Sequence, residues 1–235
     1  MSSLLEVNEI HTFIGQYHIL EGVNITVEKG SILALLGRNG AGKTTTLKTI
    51  LGLTPPSKGR VVFDGQEIQG LPSYDIASMG IGYVPEHRAI FRDLSVGENL
   101  KIAERKKGDL AQKEELIFEL FPDLKRLIRL PGTSLSGGQQ QMLAVSRALV
   151  PDNRMLLIDE PSEGLAPVLI EQMMEAIRKL SAETTILLVE QNFIVASKLA
   201  QKFVIIEEGQ SVKGGLMEDL IDDKESIHHF LGAAS

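Results

Sequence analysis

Apolar positions change their period several times along the chain, and each change predicts an element. Residues 4–10 and 19–27 carry alternating, often β-branched apolar side chains, the period of two expected of strands with one buried face. They are expected to pair antiparallel around Phe13-Ile14-Gly15-Gln16-Tyr17. Residues 31–37, 154–160 and 184–189 are instead nearly continuous apolar runs, as in strands of a parallel sheet covered on both faces. Helices are predicted over 43–51, from the Leu135-Ser136 segment to Val150, over 168–180 and over 193–200. Smaller signals fill the intervals: a turn at 54–59, a strand at 60–64 whose Asp64-Gly65 hairpin leads to 67–68, a short helix at 72–79 and a strand at 81–84. The chain ends in a hairpin of 203–207 with 210–212, then short helices.

Between 95 and 130 the pattern shifts to helices alone. Val96, Asn99, Leu100 and Ala103, then Leu116, Leu120, Leu124, Leu127 and Ile128, recur at helical spacing. The expected organisation is a single domain spanning 1–235. An α/β core with a β subdomain occupies about 1–94 and 151–235, and a helical subdomain of about 95–150 is inserted in it.

Composition narrows the partners more than the fold. The 235 residues suffice for one large domain or two small ones, and the 43% hydrophobic and 23% charged content is ordinary for a globular chain. A net charge of −7 argues against nucleic acid as the main partner, because affinity for phosphate backbones rests on clustered Lys and Arg. Lys101, Arg105, Lys106 and Lys107 form a local basic cluster, expected to be a solvated helix end. Without cysteine, neither a disulfide framework nor a thiolate site is available. No secretory signal is visible at the N-terminus, and the longest apolar runs are too short to span a bilayer, so work at a membrane is expected to need another subunit.

The strongest chemical signal is Gly37-Arg38-Asn39-Gly40-Ala41-Gly42-Lys43-Thr44-Thr45, set between a predicted buried strand and a predicted helix. Glycines lacking Cβ let successive backbone N–H groups converge on one phosphate chain, and the helix N-terminus adds positive potential. Lys43 can reach the outer phosphates and the Thr44 hydroxyl can ligate Mg²⁺, while Arg38 and Asn39 read as loop filler. The expected ligand is a nucleoside triphosphate.

Two further motifs extend that chemistry. Asp159-Glu160 closes an apolar strand at the sheet edge where open α/β folds bind ligands, so Asp159 can hold the Mg²⁺ shell and Glu160 can polarise an attacking water. Ser136, Gly137 and Gly138 open the helix of Leu135-Ser-Gly-Gly-Gln-Gln-Gln141, which makes a second anion site. A nucleotide already wrapped by one loop does not need it. The economical reading is that it faces the nucleotide of another chain in a symmetric dimer.

Taken in order, residues 37–44, 135–141 and 155–160 resemble the ATP-binding cassette of ABC transporters, and the likeness covers nearly the whole chain. Val84-Pro-Glu-His-Arg-Ala-Ile-Phe91, Asp159-Glu-Pro-Ser-Glu-Gly-Leu-Ala-Pro167 and Leu188-Val-Glu-Gln-Asn192 resemble the ATPase subunits of branched-chain amino-acid importers. The resemblance implies a P-loop cassette of α/β class: a mixed-to-parallel core sheet, an antiparallel β subdomain and an inserted helical subdomain. It implies two cassettes, as a homodimer or with a related chain, closing head to tail on two ATP with Mg²⁺. It also implies transmembrane permease subunits, an indirect periplasmic or extracellular substrate-binding protein, and a peripheral place on the cytoplasmic face of the cell membrane.

The sequence departs from the family at four points, one of them Glu163 and Gly164, which stand after Glu160 in place of the commoner residues. Glu86 stands where the resemblance places a metal-linking glutamine; it is taken as a further Mg²⁺ contact. Gln191 stands at the switch histidine, so it can sense the γ-phosphate by hydrogen bonding without carrying a proton. The base-stacking tyrosine aligns with Ile14, leaving Phe13 or Tyr17 as candidate stacking residues, aromatics that read equally well as packing within the hairpin. Stacking reads no base edge, so such a platform accepts adenine and guanine alike. Two other classes compete with a transport ATPase. Clamps on DNA or ribosomes need a long coiled coil or two cassettes in one chain, and neither is present; a non-hydrolysing regulatory subunit is suggested by Gln191 alone.

Overall fold

The computed structural model describes residues 2–232. Its first elements are the hairpin β1 (Ser3–Ile14) and β2 (Tyr17–Glu28), then β3 (Ile32–Leu36), α1 (Lys43–Ile50), β4 (Lys58–Phe63), β5 (Gln66–Glu67), α2 (Ser73–Ser78) and β6 (Ile81–Val84). Helices α3 (Val96–Lys101), α4 (Asp109–Leu120), α5 (Pro122–Arg126) and α6 (Gly137–Leu149) follow. The chain then alternates β7 (Met155–Asp159), α7 (Pro167–Ser181), β8 (Thr185–Glu190) and α8 (Phe193–Leu199) before the hairpin β9 (Lys202–Glu207) and β10 (Gln210–Leu216). It closes with α9 (Met217–Asp222), α10 (Lys224–Ser226) and a wide turn over Ile227–Leu231.

Two sheets result. The larger has the order β10-β9-β3-β8-β7-β6, parallel except for the antiparallel edge strand β10; the smaller, wholly antiparallel, has the order β2-β1-β4-β5. The fold is therefore α/β with a mixed core sheet, an antiparallel β layer and helices inserted between β6 and β7.

The continuous apolar runs place β3, β7 and β8 at the centre because every side chain there meets protein on one face or the other. Along β3, Ile32, Ala34 and Leu36 enter a core shared with α6, α7 and α8, whereas Leu33 and Leu35 enter the core shared with α1 and the antiparallel sheet. A buried hydroxyl pair, Thr12 Oγ1 to Thr49 Oγ1 at 3.0 Å, ties β1 to α1. Helix α1 is thus held between the core sheet and the antiparallel sheet.

Two sequence expectations change in detail. The first hairpin is longer than predicted: β1 and β2 run to Ile14 and Tyr17, so Phe13 and Tyr17 are strand ends and only Gly15-Gln16 turn. The helical stretch from 95 to 130 breaks over 102–108, where the backbone N–H groups of Arg105 and Lys106 bond Asp109 Oδ2. In the basic cluster, Arg105 is exposed as expected, and its Nη2 also donates to the Ile81 carbonyl at 3.2 Å.

Candidate nucleotide site

The loop between β3 and α1 takes the shape its glycines permit. Gly40 and Gly42 sit at φ 83° and 110°, a region open to glycine at little cost, and Gly42 is the N-cap of α1. Gly37 has a different reason to lack a side chain: a Cβ there would lie 2.3 Å from the Ile206 carbonyl oxygen. The loop leaves an open groove lined by Asn39, Gly40, Gly42, Lys43, Thr44 and Thr45, with Glu86, Glu160 and Glu163 opposite. Ala41 is buried behind it, its carbonyl accepting the Gly209 N–H at 2.9 Å. Arg38 does more than fill the loop, since its Nη2 donates to the His229 carbonyl at 2.8 Å and ties the loop to the C-terminal turn.

Lys43 is 4% exposed, and its ammonium hydrogens are all used: it donates to the Gly37 and Arg38 carbonyls at 2.9 and 3.1 Å and pairs with Glu160 Oε1 at 3.0 Å. Glu160, 8% exposed, follows β7 with φ 46°, the left-handed region that few non-glycine residues adopt. Triphosphate entering the groove competes with Glu160 for the same ammonium.

Asp159 is fully buried at the end of β7. It accepts the Thr44 hydroxyl on Oδ1 and the Tyr83 hydroxyl on Oδ2, each at 3.3 Å. Burial pushes its carboxyl up to about 6, helped by the Glu160 and Glu86 charges and opposed by the two hydroxyls. Tyr83 is raised in turn, by burial first and then by Asp159. Hard oxygen donors on Thr44 and Asp159, facing a phosphate groove, fit Mg²⁺, which takes one or two protein ligands and completes its shell with phosphate and water.

The structure separates the other expected site residues from this groove. Ile14 and Ile19 line its rim; Phe13 instead lies flat on His18, centroids 4.2 Å apart and planes at 3°, and Tyr17 is 67% exposed at the hairpin end. Gln191 is exposed just past β8. Ser136, Gly137 and Gly138 are absent from the groove. Ser136 caps α6 with a reciprocal pair of bonds to Gln139, at 3.3 and 2.9 Å. Gly138 is close-packed, a Cβ there falling 2.2 Å from Leu169 Cδ1, and Gly137 lies against the Arg88 guanidinium.

Sequence reasoning missed Tyr83 and Glu163 as neighbours of the Asp159 and Glu160 carboxylates. Tyr83 shares a sheet register with Leu157, two residues before Asp159, so strand pairing alone carries the signal. Glu163 is pushed up by burial and by the nearby Glu160 and Glu86 carboxylates.

A glycine loop between a buried strand and a helix, its terminal lysine, and a buried aspartate delivered by β7, two strands away across the sheet, define a P-loop nucleoside triphosphatase. Residues 20–163 match the ABC transporter family, and the chain belongs to it, as an ATPase of the ABC type. It is 41% identical, over 97% of its length and 100% of the relative's, to the high-affinity branched-chain amino acid transport ATP-binding protein BraG of Pseudomonas aeruginosa. It is 34% identical to the probable branched-chain amino acid transport ATP-binding protein LivF of Archaeoglobus fulgidus, over 94% of this chain and 96% of that one. Among solved structures, a nucleotide-free ATP-binding cassette from an ABC transporter superposes with a TM-score of 0.85 at 24% identity, covering 100% of both chains.

Proposed function

We propose that two such chains, or this chain and a related cassette, close head to tail on two Mg-ATP and drive uptake of branched-chain or related amino acids through separate permease subunits. The carrying observation is that Lys43, Thr44, Asp159 and Glu160 converge on one groove while Ser136, Gly137 and Gly138 lie outside it. An anion site with no anion of its own to meet within the chain is explained by a second copy. In that arrangement Lys43 and the glycine loop hold the phosphates, Thr44 and Asp159 hold Mg²⁺, and Glu160 takes the proton of the attacking water. Gln191 donates a hydrogen bond to the γ-phosphate. Bound Mg²⁺ supplies neutralisation of the phosphate charge.

The amino-acid assignment is supported by the likeness to BraG and LivF. Among the described residues no helix is long and apolar enough to cross a membrane, consistent with a peripheral subunit on the cytoplasmic face that relies on permeases and a substrate-binding protein. The test is co-expression with the permease subunits, purification of the assembly, and ATP-dependent uptake of labelled leucine into vesicles. Uptake that needs both ATP and the binding protein is expected. An assembly that forms and hydrolyses ATP yet moves no branched-chain amino acid removes the substrate assignment alone.

Glu86 sharpens the metal dependence. Its carboxylate lines the groove with Glu160 and Glu163, three negative groups facing a polyanion. Mg²⁺ offsets that repulsion, and without the metal the repulsion stands. Glu86→Gln is therefore expected to tighten ATP binding in a chelator by about three- to tenfold, the size of one partly screened charge interaction, while changing Mg-ATP affinity little. Equal chelator affinities for wild type and variant, measured by equilibrium dialysis, would refute this.

A further inference from the structure

One buried carboxylate takes no part in the chemistry above. Glu190 ends β8 on the face of the sheet opposite Asp159: Leu188 points to the α7 and α8 side and Val189, paired with Asp159, to the α1 side. It is 1% exposed. Its oxygens are met by three donors: the Ser162 N–H at 3.2 Å on Oε1, and the Ser162 hydroxyl at 2.9 Å and the Asn192 N–H at 3.3 Å on Oε2.

Those donors belong to two turns. The first, 160–163, begins with Glu160 at φ 46° and closes by the Glu163 N–H on the Glu160 carbonyl at 3.1 Å. The second carries Gln191 between Glu190 and Asn192, and Asn192 Oδ1 caps α8 through the N–H groups of Ile194 and Val195 at 3.1 and 3.3 Å. The Glu160 N–H also donates to the Val189 carbonyl at 3.0 Å, so the two turns start side by side. Burial pushes the Glu190 carboxyl up to about 7, against the hydrogen bonds from Ser162 and Asn192. A sheet wanting only to be covered would place an apolar side chain here, as at the four positions before it. The desolvated carboxylate is explained by what it holds.

We propose that Glu190 is a positioning residue that locks the Glu160 turn and the Gln191 turn to one another, so that base and γ-phosphate sensor address the same phosphate. This rests on the roles given above to Glu160 and Gln191. Phosphate binding itself hangs on the glycine loop and Lys43, whereas the Glu190 carboxylate is bonded to Ser162 and Asn192. Loosening the link therefore costs rate and spares affinity, because small misplacements of a base cost far more in the transition state than in the ground state.

The test uses the full chain with its own measured turnover: Glu190→Gln, Ser162→Ala and the double variant, each with kcat, KM for Mg-ATP and a melting midpoint. Glu190→Gln keeps the shape but can accept on one oxygen only. It is expected to lower kcat about tenfold with KM within about twofold of wild type. Ser162→Ala is expected to lower kcat about fivefold, and the double variant to be no slower than Glu190→Gln, since both cut one link. A kcat of Glu190→Gln within about twofold of wild type overturns the proposal, as do losses that multiply in the double variant. Should Glu190→Gln fail to fold, Ser162→Ala carries the same test of kcat against KM, since it deletes only a hydroxyl. Glu160→Gln measured in parallel keeps the two ideas apart: full turnover there refutes the base assignment, whatever Glu190→Gln does.

Discussion

Glu160→Gln is expected to cut steady-state ATP turnover by about a hundredfold or more while leaving ATP bound, the scale set by losing a positioned general base. The geometry gives both halves of that outcome. The carboxylate stands at the groove on a left-handed turn, 3.0 Å from Lys43, and the amide of glutamine cannot take a proton from water. The same change removes the competitor for Lys43, which keeps its bonds to the Gly37 and Arg38 carbonyls and is free to meet phosphate. ATP affinity should therefore hold or rise. Phosphate release and equilibrium nucleotide binding, measured on the same preparation, check the two parts. Unchanged turnover would mean that another group activates the water.

The second large effect comes from mixing two dead chains. Lys43→Ala removes the phosphate lysine, and Ser136→Arg fills the N-terminus of α6 with a long cation. Each variant alone is expected to lose nearly all turnover. In a mixed dimer, one composite site has both lesions and the other has neither, because the intact Lys43 of one chain meets the intact Ser136 of its partner. Random pairing makes half the dimers mixed, each with one good site of two, so an equimolar mixture should recover about a quarter of wild-type turnover if the sites work independently. Recovery that rises with protein concentration would further mark an intermolecular site. A mixture as inactive as its parts argues against independent shared sites. Lys43→Ala also strips the partner from Glu160, and an unpaired buried carboxylate destabilises a fold strongly. Melting curves of both chains therefore belong with the kinetics, and Lys43→Ala combined with Glu160→Gln should melt higher than Lys43→Ala alone.

Much of the nucleotide groove was legible because its parts are local. The run of Ile32–Leu36, the glycines at 37, 40 and 42, and the start of α1 at Lys43 lie within one short segment, where backbone freedom and helix polarity act on neighbours in sequence. Asp159 and Glu160 were legible for a similar reason: an apolar run ending in acids places those acids at a sheet edge. Legibility fell where chemistry depends on register between strands. Nothing in the residues around Tyr83 says that its hydroxyl reaches Asp159, because that contact follows from β6 pairing with β7. The basic cluster gave the exposure of Arg105 but not its bond to the Ile81 carbonyl, because charge patterning takes no account of a carbonyl brought near by folding. The aromatics of the first hairpin read equally as a base platform and as hairpin packing, and which partner Phe13 meets, His18 of the paired strand, is a cross-strand contact that hydrophobic period cannot see.

By itself the sequence determined the elements, the phosphate loop and the carboxylate pair, since turn chemistry, apolar period and strand-end acids act over a few residues. Only the tertiary structure decided that Lys43 is already paired with Glu160, that Ser136 to Gly138 stand apart from the groove, and that Glu190 joins the turns of Glu160 and Gln191. Those are contacts between segments dozens of residues apart, set by strand order and by the close packing of helices against the sheet, where a displacement of an ångström makes or breaks a hydrogen bond.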